Sequence, residues 1–210
     1  MTRADFALMA GWLRQPHVEA WFPWEHGDID PVEGVAAEYG PGIDGVDATE
    51  YFVIEEGGRG VGFVQRYLFS IEAEWASILA DALAGPLAAS GEAVDPAAAI
   101  DPATPIDPAT PIDPAAPIDP RTAIGIDYAI GDVTATGRGV GTAAISLFVA
   151  DIFATYSDID WIVVSMQQAN RSSWRTLERV GFKRRWAGLL DSPDPSDAGP
   201  TFVYVRHRDW

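Results

Sequence analysis

The spacing of apolar and polar positions changes period several times along the chain, and each change marks an element. Residues 49–69, TEYFVIEEGGRGVGFVQRYLF, alternate on either side of Glu56-Gly57-Gly58-Arg59. That is the pattern of two strands joined by a tight hairpin. Further on, residues 123–132 (AIGIDYAIGD) read as a strand, 141–156 as a helix, 160–167 (DWIVVSMQ) as a strand and 170–181 (NRSSWRTLERVG) as a helix. FKRRWAGLL and TFVYVRHR close the chain as two more strands. Ahead of the hairpin, a first helix ends over Met9–Arg14 and a second covers Pro31–Tyr39. After it, a third runs from Ala73 to about Leu83 before Gly85 and Pro86 break the pattern. Strands mixed with helices predict the α/β (α+β) class, a central mixed sheet with helices on both faces. The helix from Gly141 is apolar nearly all round, which predicts burial over most of its surface.

On the strand at 123–132, Ile124, Ile126, Tyr128 and Ile130 share one face, and Gly125, Asp127 and Ala129 share the other. A carboxylate between two very small neighbours has room in front of it, enough to dock an ammonium group. Solvent exposure or a strand edge would also explain an acid there.

Residues 94–123 form five six-residue units, VDPAAA, IDPATP, IDPATP, IDPAAP and IDPRTA. The spacing touches the hexapeptide pattern of a parallel β-helix, but five units make fewer than two coils, too few to bury a core by stacking. The recurring prolines remove backbone donors and favour an extended polyproline conformation. The expectation is one domain over residues 1–210 carrying a decorative insertion at 94–123.

Charge narrows the partners. Fourteen basic against thirty-one acidic side chains give a net charge of −17. Such a field repels nucleic acid and anionic membrane and attracts cations, although a salt-adapted or GC-rich source would give the same balance. The absence of cysteine excludes disulfides, a thiolate zinc site and a cysteine nucleophile. His17, His26 and His207 are too scattered for a metal cluster, so no metal is expected. The first residues, MTRADFALMAGWLRQP, lack the features of an export signal, and a cytoplasmic location follows as an expectation.

The densest local signal is the junction between strand and helix, GDVTATGRGVGTAAISLF. Gly137, Gly139 and Gly141 let the backbone approach a ligand closely, and the following helix start offers free N–H groups to an anion. No lysine is present for a Walker A loop, and Thr142 stands where the dinucleotide fingerprint needs glycine. An ordinary turn would use such glycines too.

What remains resembles the GCN5-related N-acetyltransferase (GNAT) superfamily, whose pyrophosphate loop reads Gln/Arg-x-x-Gly-x-Gly/Ala; here it is Thr136-Gly137-Arg138-Gly139-Val140-Gly141. The segment WIVVSMQQANRSSWRTLERVGFKRR is similar to the strand and helix that follow in that superfamily. The resemblance implies a sheet splayed at the acetyl-CoA site. It also implies coenzyme contacts from Ile130, Val133, Gly137, Arg138, Gly139, Val140, Gly141, Thr142, Asn170 and Arg175. Asn170 would hold the pantetheine arm, or serve only as a helix cap.

Within the superfamily the sequence is similar to aminoglycoside 6'-N-acetyltransferases, through WLRQPHVEAWF, GVGFVQRYLF and GIDYAIGD followed at once by the glycine loop. This implies direct acetyl transfer from acetyl-CoA to an antibiotic amine in a ternary complex. Asp127 and Glu74 are the candidate proton acceptors, and Trp21, Trp24, Glu25, Gln65 and Asp127 the candidate substrate contacts. Phe22 fits better as core. Two positions depart from the family: Leu177 stands where a tyrosine often protonates the leaving thiolate, and Ser165 where some relatives carry an acid. A siderophore precursor, a polyamine or a protein N-terminus as acceptor, and an inactive binding module, are the competing readings. A monomer and a homodimer are both compatible with the sequence.

Overall fold

The computed structural model describes residues 1–24, 27–84, 117–192, 194, 197 and 199–210. The repeat units before Pro117 lie outside the described residues. Helices α1 (Phe6–Leu13), α2 (Pro16–Glu19) and α3 (Pro31–Ile43) precede strands β1 (Glu50–Glu56) and β2 (Arg59–Leu68). Helices α4 (Ala73–Ile78) and α5 (Ala80–Ala84) follow, and then β3 (Ala123–Ile130), α6 (Val140–Thr155), β4 (Trp161–Gln167), α7 (Arg171–Arg179), β5 (Lys183–Leu189) and β6 (Pro200–His207). Gly57 and Gly58 turn the β1–β2 hairpin with φ of 60° and 77°, the geometry of a two-residue type I′ connection.

The six strands form one sheet in the order β1-β2-β3-β4-β6-β5. All neighbours are antiparallel except β3 and β4, which run parallel with α6 as their crossover. This is the predicted mixed, mostly antiparallel sheet. The parallel pair is short: Ala123, Ile124 and Gly125 match Trp161, Ile162 and Val163, and beyond them the strands diverge. On its other side β3 stays paired with β2 as far as Gly62↔Ile130. The opening is therefore internal to the sheet.

Alternation along β3 sorts the core as the sequence implies. Ile124 and Ile126, with Tyr128 and Ile130 beside them, join the cluster under α6 and α7 that includes Ile145, Phe148, Ile152 and Leu177. On the opposite face, Ala129 belongs to a cluster with Met9, Trp12, Val35 and Phe63, and Ala123 to another with Phe69, Leu79, Trp161 and Val203. Asp127 falls in the gap between those two clusters.

Two expectations are corrected. Helix α6 buries Ile145, Phe148, Val149 and Ile152, while Leu147 is 73% exposed. A flat sheet face covers only one stripe of a helix, and the outer stripe carries Ala143, Ser146, Ala150, Asp151, Ala154 and Thr155 beside Leu147, small or polar residues whose exposure costs little. The last repeat unit, 118–123, is part of the core rather than of an insertion ending at 123. Ile118 is buried beside Leu79 and Leu83, its N–H bonds the Leu83 carbonyl at 2.9 Å, and Asp119 caps a short turn leading into β3.

One cation sits inside the α6-facing layer. Arg66 on β2 is buried; it donates from Nε to Glu50 and from Nη1 to Asp151, each at 2.7 Å. The rings of Phe52, Phe148 and Tyr156 lie within 5.0–5.7 Å of the guanidinium carbon, and the Tyr156 hydroxyl donates to the same Glu50 oxygen. Both carboxylates are about half exposed, so they neutralise the charge without being fully desolvated themselves. Replacing the arginine removes packing as well as charge. Arg66→Ala is expected to lower the unfolding free energy by about 3 kcal/mol in urea titrations, with the m-value unchanged.

Candidate active site

Two cavities meet where β3 and β4 part. The first, of about 610 Å³, fills the gap between the two core clusters on the Asp127 face. It is lined by Glu38, Asp47, Glu72, Glu74, Asp127, Asp194 and Asp197 and, among the described residues, by no arginine, lysine or histidine. Aromatic walls come from Trp21, Phe22, Tyr39, Tyr51, Tyr67, Trp75 and Tyr128. Register explains several of these: Tyr51 on β1 stands opposite Gln65 on β2, which stands opposite Asp127 on β3, so the three side chains form one row. Gly125, next along the same face, is covered by the Tyr67 ring, which a Cβ there would strike at 2.2 Å. The space beside Asp127 is thus a walled pocket rather than open surface. The Tyr67 hydroxyl in turn accepts from Trp75 Nε1 at 3.1 Å, which holds α4 and its Glu74 against the cavity.

Asp127 accepts a 2.9 Å hydrogen bond from Gln65 Nε2. Burial pushes its carboxyl up to about 6; the Gln65 bond opposes the shift, and the negative Asp197 and Asp194 add to it. Asp197 is itself raised by burial, although Ser192 Oγ donates to it at 2.6 Å. Gln65 Oε1 is buried with no hydrogen-bond partner. An acid near 6 beside an unused acceptor is a site prepared for a donor that carries positive charge.

The second cavity, of about 770 Å³, lies at the start of α6. It is lined by Ile130, Val133, Gly137, Gly139, Gly141 and Thr142 on one side and by Asn170, Ser173, Arg175 and Thr176 of α7 on the other. Gly137 and Gly139 have φ of 69° and 87°, and a Cβ on either would project into empty space. Gly139 occupies the N-cap position without any side-chain cap, which leaves the first N–H groups of α6 for a ligand. Trp21, Phe22, Tyr128, Asn170 and Ser173 line both cavities, so the two communicate through the sheet.

Residues 108–187 match the family of acetyltransferase (GNAT) domains. The fold is similar to that of AAC(6')-Ib in complex with ribostamycin and coenzyme A, with a TM-score of 0.67 at 20% identity over 100% of this chain and 91% of that one. Aminoglycoside acetyltransferase AAC(6')-Ib with coenzyme A and kanamycin gives 0.66 at 19%, over 100% and 92%. A ribosomal-protein-S5-alanine acetyltransferase from Vibrio fischeri gives 0.60 at 13%, over 100% and 91%. Among curated proteins none matches the sequence. The chain has the GNAT fold.

Within the GNAT frame, eight of the ten expected coenzyme residues line the second cavity. Arg138 turns away instead, donating to Glu56 on the β1–β2 hairpin at 3.0 Å, and Val140 lines neither cavity. The Arg138 contact reaches 82 residues back along the chain, which is why the loop's own sequence does not reveal it. Asn170 does cap α7: its Oδ1 accepts from Ser173 N at 3.2 Å and from Ser172 Oγ at 3.0 Å. It also borders both cavities, so the cap and the ligand-facing position coincide.

On the acceptor side Trp21, Gln65, Glu74 and Asp127 are brought together. Trp24 is not: it packs against the α1–α3 cluster, donates from Nε1 to the Gly27 carbonyl at 3.2 Å and lines neither cavity. Glu25 lies outside the described residues. Phe22 stacks edge-on against Phe63 as core, yet its outer side borders both cavities. Sequence reading missed Tyr39, Tyr51, Tyr67 and the acids Asp194 and Asp197. Counting register back from the hairpin turn would have found Tyr51; nothing local marks a loop acid.

The elevated Asp127 carries a stability consequence. With its folded value above the unfolded 3.8, the native state binds more protons than the unfolded chain between about pH 4 and 6, and stability falls as pH rises through that window. Asp127→Asn removes this cost and offers an N–H to Gln65 Oε1. It is expected to raise the unfolding free energy by about 2 kcal/mol at pH 7.5 and by little at pH 4, a difference that thermal melts at the two pH values will read.

Proposed function

We propose that the protein is an acetyl-CoA-dependent N-acyltransferase that acetylates an amine of an aminoglycoside, the 6'-amine by resemblance. The observation that carries the acceptor class is the first cavity, with seven carboxylates and no cation among its described lining residues. Acids gathered around one cavity disfavour one another's charged forms, so a ligand bearing several ammonium groups is the natural counter-charge. Aromatic walls suit the apolar faces of amino-sugar rings and add cation–π attraction. The acyl-donor side is supported by the GNAT family match and by the glycine loop at the start of α6.

The residues present fit acetyl-CoA. The unfilled side of Gly137 and Gly139 and the uncapped α6 start suit a diphosphate, and beyond Gly125 and Val163 the edges of β3 and β4 that face each other across the opening are no longer paired strand to strand and suit the amides of a pantetheine arm. Bound there, acetyl-CoA supplies an activated acyl carbon. Asp127, with its value near 6, is a carboxylate at neutral pH and takes the proton that an ammonium must lose before its nitrogen can attack. Gln65 holds that carboxylate in place, and Glu74 on α4 retains the other charges of the acceptor. Sites on opposite sides of one opening bring amine and thioester together without a covalent enzyme intermediate.

Steady-state assays of coenzyme A release will test this. Kanamycin and ribostamycin are expected to be acetylated with kcat/KM well above that for spermidine or a monoamine, and kcat/KM is expected to decline below about pH 6 as Asp127 becomes protonated. Preference for spermidine would transfer the site to polyamines, and absence of turnover with every amine would favour a binding module. Gly139→Ala, a residue of positive φ, should raise the KM for acetyl-CoA by roughly tenfold while leaving the KM of the amine unchanged, because only the loop at α6 is altered.

A further inference from the structure

The acyltransferase reading leaves the departing sulfur without a donor. Leu177 occupies the α7 position where the resemblance leads one to look for a tyrosine, and it is fully buried among Ile145, Trp174 and Phe182. A thiolate expelled at the opening, with the carboxylates of the first cavity on its other side, needs a hydrogen-bond donor more than one expelled into water.

The transfer has to occur where both cavities meet, and five residues border both: Trp21, Phe22, Tyr128, Asn170 and Ser173. The Asn170 carbonyl oxygen is engaged in capping α7. Tyr128 stands on β3, three residues past the last pair with β4, directly after Asp127 but on the opposite face. Its hydroxyl lies 3.1 Å from the Ser173 carbonyl and 3.0 Å from Ser173 Oγ. Alternation therefore places the acid on the amine side of the opening and the phenol on the side of α6 and α7. Burial holds the phenol above its ordinary range, so it carries its proton at every working pH.

We propose that the Tyr128 hydroxyl is the donor to the leaving sulfur in this enzyme. The amine nitrogen, its ammonium proton already passed to Asp127, forms a bond to the acyl carbon; the carbon–sulfur bond breaks and its electron pair goes to sulfur. The Tyr128 proton swings from the Ser173 carbonyl to that sulfur as charge develops, while Ser173 Oγ–H donates to the phenol oxygen and steadies it. The amide nitrogen's surplus proton passes to the hydrogen-bonded thiolate, which departs as the thiol, while Tyr128 keeps its own proton and Asp127 releases the one it took to solvent. This assignment rests on the acyltransferase reading and adds a residue to it.

The test uses the intact protein and its Tyr128→Phe variant. The kcat is expected to fall roughly 10- to 100-fold with little change in the KM for acetyl-CoA. A second readout needs no acceptor: the thiol of bound coenzyme A, followed by its ultraviolet thiolate absorbance, should titrate about one pH unit higher in Tyr128→Phe than in the wild type. Asp127 and Arg175 are common to both proteins, so the difference isolates the hydroxyl. Ser173→Ala keeps the phenol but removes its support and should move both readouts in the same direction by less. Equal thiol titration in all three proteins, with coenzyme bound by all, overturns the role of Tyr128 and leaves the acyltransferase reading standing. Failure of the wild type to bind coenzyme A in calorimetry overturns both.

Discussion

The parting of β3 and β4 after three residue pairs is the constraint from which the rest of this structure follows. A sheet normally satisfies its backbone groups strand by strand, and a break in the middle leaves two internal edges whose donors and acceptors face a gap. Here β3 is held open from its far side: its pairing with β2 continues to Ile130, so it cannot relax toward β4. The α6 crossover fixes the other boundary, since its N-terminus begins just past the end of β3 and its body packs under Ile124 and Ile126. Strand, glycine loop and helix thus place an anion-accepting backbone at one mouth of an opening whose other mouth is acidic.

That division of charge along a single strand gives the fold its chemistry. Successive residues of β3 point to opposite faces, so Asp127 and Tyr128 serve two cavities although they are neighbours in sequence. The carboxyl is held in a buried, negative setting that costs stability, and the surrounding clusters supply what offsets it. Arg66, one residue from Gln65 but facing α6, is satisfied within its own layer by Glu50 and Asp151. The positive charge it carries therefore does not neutralise the acidic cavity. Opposite faces of β2 keep the Arg66 ion pairs and the acids of the first cavity apart.

Much of this was legible in the sequence because it depends on local rules. The hairpin turn is dictated by two glycines with positive φ, the faces of β3 by period-two alternation, and the anion loop by glycines ahead of an apolar helix. Long-range geometry was not legible. Arg138 reads as a phosphate ligand in sequence, and in the fold it pairs with Glu56 of the distant β1–β2 hairpin. Trp24 reads as a substrate wall in sequence, and in the fold it packs half-buried against the α1–α3 cluster and lines neither cavity. Ile118 has the sequence of a repeat and the role of a core residue, because what decides burial is the vacancy between Leu79, Leu83 and β3, not the repeat's own period. Asp194 and Asp197 reach Asp127 only because β5 and β6 return on the far side of β4.

The central claim is that the opening between β3 and β4 receives a thioester from the α6 side and a polycationic amine from the Asp127 side. A crystal structure of the protein grown with coenzyme A and kanamycin tests it most directly. The account predicts the pantetheine arm between the two strands with its diphosphate at residues 137–142, and an amino group of the antibiotic within hydrogen-bond distance of Asp127. Coenzyme bound elsewhere, or an antibiotic seated away from Asp127 on the outer surface, would contradict it.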